Sequence, residues 1–90
     1  MIQPSHEVFV AEGRVLLEGI RDARERPIPG LEGRTGKAAL FFVDLEPDAS
    51  FSHPCIYIVL PENDEPLRVE HNWPPSDAVR LLPLARPSGP

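Results

Sequence analysis

Between Glu7 and Trp73 the chain alternates short apolar runs with clusters of Pro, Gly and charge, and the runs follow the two-residue period of strands. Glu7-Val8-Phe9-Val10-Ala11 and Arg14-Val15-Leu16-Leu17-Glu18-Gly19-Ile20 flank Glu12-Gly13, a pair suited to a tight turn, and predict a hairpin. Lys37-Ala38-Ala39-Leu40-Phe41-Phe42-Val43-Asp44-Leu45 is apolar on both alternating faces up to Asp44, the pattern of a central strand covered on two sides. Cys55-Ile56-Tyr57-Ile58-Val59-Leu60 and Leu67-Arg68-Val69-Glu70-His71-Asn72-Trp73 flank a charged loop between Pro61 and Pro66, and predict the clearest hairpin of all. The expected fold class is all-β: a small antiparallel sandwich or half-open barrel of about five strands, near 7–11, 14–20, 37–45, 55–60 and 67–73, with one long loop and a short C-terminal helical turn.

The intervals support this division. Asp22 to Gly36 carries Pro27, Pro29, Gly30, Gly33 and Gly36 and reads as the long loop, with one helical turn before Pro27; loops of that length are usually functional or mobile. Pro47 to Pro54 reads as a connection. Pro74-Pro75 ends the last strand, and Ser76 is placed to cap a helix of barely two turns, Asp77–Leu82, that stops before Pro83. One domain over 1–83 and a flexible Pro-rich tail over 84–90 follow.

The second hairpin fixes faces once a register is assumed. With Leu60 opposite Leu67 across a six-residue loop, His71 lies across from Ile56. Ile56, Ile58, Leu60, Leu67, Val69 and His71 then share an apolar face pointing into the core, with Cys55, Tyr57 and Val59 on the other side beside Arg68, Glu70 and Asn72. That register sets Cys55 and His71 on opposite sides of the sheet and argues against a Cys–His dyad. A β-bulge near Pro54 would reverse the parity.

Composition narrows the class further. An apolar fraction of 41% and a charged fraction of 26% over 90 residues are those of an ordinary folded domain, with a thin core that self-association would enlarge. Cys55 is the one cysteine, so no intramolecular disulfide forms and a reducing cytoplasm is expected. Met1 to Glu7 lacks the basic start and apolar run of a secretion signal, and no apolar stretch approaches the roughly 18 residues of a membrane span. The net charge of −5 counts against nucleic acid as a partner. Charge is unevenly placed: residues 21–37 hold five cations against three acids, whereas residues 44–65 hold six acids and no Lys or Arg.

Candidate chemistry is sparse. His53-Pro54-Cys55 pairs an imidazole with a thiol, and Asp44 or Asp48 would complete a thiol- or metal-dependent hydrolase. Two soft ligands fall short of the four that a structural zinc takes, so no metal or cofactor is expected. Asp44, Glu46 and Asp48 are alternating carboxylates, but Pro47 breaks the strand among them and they read as a solvated strand end. Gly30 to Lys37 lacks the spacing of a phosphate loop, since Lys37 is followed by Ala38 and a strand. Arg24, Arg26, Arg34 and Lys37 instead suggest a partner contact, and Trp73-Pro74-Pro75 an aromatic–proline recognition surface. The reading favours a small non-enzymatic protein-binding or assembly module, acting on a protein partner or on itself as a homodimer. The alternatives are the Cys55–His53 hydrolase and an acidic inhibitor or immunity protein.

Overall fold

The strand-forming runs leave open which side of each strand meets the core, and pairing decides it. The computed structural model describes residues 6–47 and 52–84. Among these, β1 (Glu7–Ala11), β2 (Val15–Leu16), β3 (Lys37–Asp44), β4 (Cys55–Pro61), β5 (Leu67–His71) and β6 (Leu81–Pro83) form one antiparallel sheet in the order β5-β4-β3-β1-β6, with β2 also on β3. The chain is all-β, as its pattern indicates. Asp48 and residues 85–90 of the expected tail lie outside the described residues, whereas Leu84 N still donates to Val8 O at 2.9 Å.

The hairpin expected across Glu12-Gly13 is replaced by a single interrupted strand. β1 pairs with the end of β3 (Glu7 with Asp44, Val10 with Phe41) and β2 with its start (Val15 with Ala38, Leu16 with Lys37). Gly13, at φ +72, takes the chain out of the sheet between them, and Glu12 N bonds Arg80 O at 2.8 Å. The strand expected to reach Ile20 stops at Leu16, because Leu17–Gly19 forms a 3₁₀ turn that carries Leu17 under the sheet.

The register of the second hairpin also differs. Val59, not Leu60, faces Leu67, and Cys55, not Ile56, faces His71. Leu67, Val69 and His71 do point inward, but the β4 half of the face inverts: Cys55, Tyr57 and Val59 are at most 1% exposed, while Ile56 and Ile58 lie outside with Arg68 and Glu70. One extra residue in the connecting loop suffices, since parity reverses with every residue. No bulge at Pro54 is required.

The inner face is crossed by an aromatic row. Phe9 lies 6.1 Å from Phe42, Phe42 5.5 Å from Tyr57 and Tyr57 5.9 Å from His71, the last two edge-on. Such pairs add about 0.5–1.5 kcal/mol each beyond the area they bury. The long 20–36 segment is the second layer over this face: Ile20, Ile28 and Leu31 are buried against the sheet and close the core with Leu17. Gly30 has φ +93, and a Cβ there would sit 3.4 Å from Val69, so the loop lies close over β5 at a conformation suited to glycine. The Ser76-capped segment makes one turn, closed by Val79 N to Ser76 O, and then gives way to β6. Leu81 and Leu82 do not extend a helix because they pair with Ala11 and Val10 on the edge of β1.

Candidate functional site

Three regions carry the candidate residues. At the Asp44 end of the inner face, strand pairing sets Cys55 opposite both Asp44 and His71. His53 Nε2 lies 2.7 Å from Asp44 Oδ1, so Asp44, His53 and Cys55 do gather. Their arrangement is not that of a nucleophile and its base. The Cys55 thiol donates to the carbonyls of His71 and Trp73, each at 3.4 Å, while the imidazole engages the carboxylate. Burial, then the Asp44 charge, pushes the thiol pKa up to about 12. Thiolate is the reactive form, so Cys55 should label with a neutral-pH thiol reagent at least about a hundredfold more slowly in the native protein than in urea. Labelling at similar rates in both states would show that the thiol is accessible. Among the described residues, no group of three or more His, Cys, Asp or Glu is arranged to hold a metal ion.

His71 belongs to a second polar unit absent from the sequence reading. Its Nε2–H donates to Asp22 Oδ2 at 3.0 Å, and Asp22 Oδ1 accepts the amides of Arg24 at 2.8 Å and Arg26 at 3.1 Å. Asp22 is 1% exposed. Its sequence signal is the Asx turn, a carboxylate capturing the amide two residues on, which is easily passed over inside a charged loop. Next to it, Tyr57 Oη donates to Trp73 O at 2.7 Å, and burial, followed by the charges of Cys55 and Asp22, raises the phenol pKa. The Asp22–His71 bond ties the loop layer to the sheet.

The proposed basic contact divides. The amides of Arg24 and Arg26 hold Asp22 at the His71 end, and the Arg24 guanidinium lies 4.5 Å from the Trp73 ring centroid. Arg34 and Lys37 lie at the other end of β3: Arg34 pairs with Asp64 at 3.4 Å, and Lys37 O accepts Glu62 N. An eight-residue strand separates the pairs, about 23 Å at 3.3 Å per residue. Of Trp73-Pro74-Pro75, Pro75 is buried and bridges to Asp22 and Pro74 O accepts Ala23 N, while Trp73 and Pro74 are part-exposed.

The third region is the outer face of the sheet. Pairing sets Val10, Phe41 and Ile58 in one row ending at Arg68, Val8, Val43 and Ile56 in another ending at Glu70, and Ala39 beside Leu60. Leu82 continues the first row on β6. Val43, between Val8 and Ile56, is 1% exposed; Val8, Val10, Ala39, Phe41, Ile56 and Ile58 are part-exposed, and Leu60 and Leu82 are 38% and 41% exposed. Each position tiles about 30 Å² of sheet, so the nine apolar residues, buried Val43 included, span a footprint near 300 Å². No helix among the described residues is long and apolar enough to cross a membrane. No protein-family model matches the chain, and neither a curated protein nor a solved structure is significantly similar to it.

Proposed function

We propose that the chain is a non-enzymatic assembly module that works by self-association, packing the outer face of its sheet against that of a second copy. The observation that carries this reading is the apolar outer face on β1, β3 and β4, whose strand interiors place no charge there. A sheet apolar on both sides is the signature of one covered on both sides. The inner side has its cover in the 20–36 segment; a second copy would supply the outer one, stacking at about 10 Å as in a sandwich. The rim fits a like partner, because Arg68 and Glu70 bring one charge of each sign to the border of the apolar rows. The buried thiol favours this reading over the hydrolase. The acidic-inhibitor alternative loses force because Asp44, Glu62 and Asp64 are engaged by His53, Arg14 and Arg34.

Sedimentation analysis tests it. The wild type should run as a species of at least twice the 10.0 kDa chain mass. Ile58→Asp, at the centre of the face, should weaken that contact at least about a hundredfold, as expected for a central interface residue. A monomeric wild type, or an Ile58→Asp protein associating as strongly as the wild type, would refute the reading.

A further inference from the structure

We propose that the free edge of β5 pairs with the same edge of a second copy in one defined register, Val69 opposite its own counterpart. The proposal rests on the self-association reading and adds a second contact to it, argued from a different observation. Among the described residues, β5 pairs only with β4 and ends the sheet, so one side of its backbone is open for strand addition. The opposite edge is poorly suited: β6 spans three residues and ends in Pro83, which has no N–H to give. β5 has no Pro, and its two exposed charges, Arg68 and Glu70, are of opposite sign and so can pair with those of a like edge.

The side chains select the register. In antiparallel pairing about a two-fold axis, residues that face one another must point to the same side of the sheet, so the centre falls on a residue and not between two. Centring on 68 opposes two arginines; centring on 70 opposes two glutamates. Centring on Val69 instead sets Arg68 opposite Glu70 twice, and Leu67 opposite His71 twice. Opposite charges across a strand pair stabilise it and like charges destabilise it, so one register is favoured and both neighbours are penalised. Arg68 and Glu70 already lie 3.7 Å apart within the strand, on side chains 60% and 75% exposed, and are available to a second chain.

Edge pairing sets two outer faces side by side, with the cross-strand Arg68–Glu70 pairs of the two β5 strands lying between the two apolar footprints. Its two-fold axis is normal to the sheet, whereas that of face packing lies parallel to it. Where the two axes intersect, the contacts together close an assembly of four copies.

Sedimentation of charge-swap variants, with circular dichroism to check folding, separates the two contacts. Wild type should run as a tetramer. Arg68→Glu and Glu70→Arg each place like charges in both cross-strand pairs and should reduce it to a dimer, and the double swap should restore the tetramer. Ile58→Asp should leave an edge-paired dimer that adding Arg68→Glu breaks into monomers. Single charge variants that sediment like the wild type, or a double swap without rescue, would overturn the edge contact and leave face packing intact. A dimeric wild type split by Arg68→Glu but indifferent to Ile58→Asp would uphold the edge and remove the face contact. A wild type monomeric at every concentration would overturn both.

Discussion

Asp22→Ala should lower the unfolding free energy by about 3 kcal/mol, the upper scale for leaving buried donors without their acceptor. For a domain of this size that corresponds to a melting shift on the order of 15 °C. The substitution leaves three part-buried donors, His71 Nε2 and the amides of Arg24 and Arg26, without their acceptor. Asp22→Asn keeps an oxygen for the two amides but loses the charge facing His71, and should lose about half as much. The effect carries a pH signature. Burial alone would raise the Asp22 pKa, but the His71 hydrogen bond, the amides of Arg26 and Arg24 and the His71 charge outweigh it and hold the carboxyl below its ordinary value. A lowered native pKa means that the unfolded chain takes up the proton first as the solution is acidified. Asp22 therefore contributes fully above the unfolded value near 3.9, and the contribution is lost as pH falls through the lower native value. Urea melts of wild type and Asp22→Ala should converge only below about pH 4. A loss under 1 kcal/mol at pH 7, or a gap unchanged at pH 3, would show that the carboxylate does not fasten the loop.

That fastening was the part of the molecule least visible in the residues. The apolar runs at 7–11, 37–44, 55–61 and 67–71 declare strands because β-branched and aromatic residues fill them, and the Pro and Gly clusters between them declare breaks. β5 even declares its faces, since Arg68 and Glu70 alternate with Leu67 and Val69. β4 cannot do so: Ile56, Ile58 and Leu60 are as apolar as Cys55, Tyr57 and Val59, so local hydrophobicity has no preference and the parity is left to a loop. β6 escapes notice because three residues ending in proline form a strand only when an edge is waiting for them. The loop layer escapes for a related reason. Ile20, Ile28 and Leu31 are too widely spaced to show a period, and their burial follows from tertiary packing alone. Of the candidate site residues, Asp44, His53 and Cys55 do converge, but what proximity means there depends on where the thiol points, which no spacing reveals.

The inverted face of β4 yields the largest expected contrast. Val59→Asp should abolish the cooperative native state, at a cost above about 4 kcal/mol, because Val59 is fully buried between Leu40 and Leu67 and a carboxylate there meets neither water nor a cation. Ile58→Asp, one residue away, should leave the native circular dichroism and a cooperative melt in place at concentrations where copies do not associate, since its side chain stands on the outer face in the row of Phe41 and Arg68. The register with Leu60 opposite Leu67 demands the reverse, with position 58 intolerant and position 59 permissive. The pair of variants thus measures the parity of the hairpin directly, because the two adjacent positions lie on opposite sides of the sheet. It also separates folding from assembly: if Ile58 carries self-association but not the fold, the same substitution that removes the oligomer must leave the monomer standing, and a protein unfolded by Ile58→Asp would return that residue to the core and take the outer-face interface away with it.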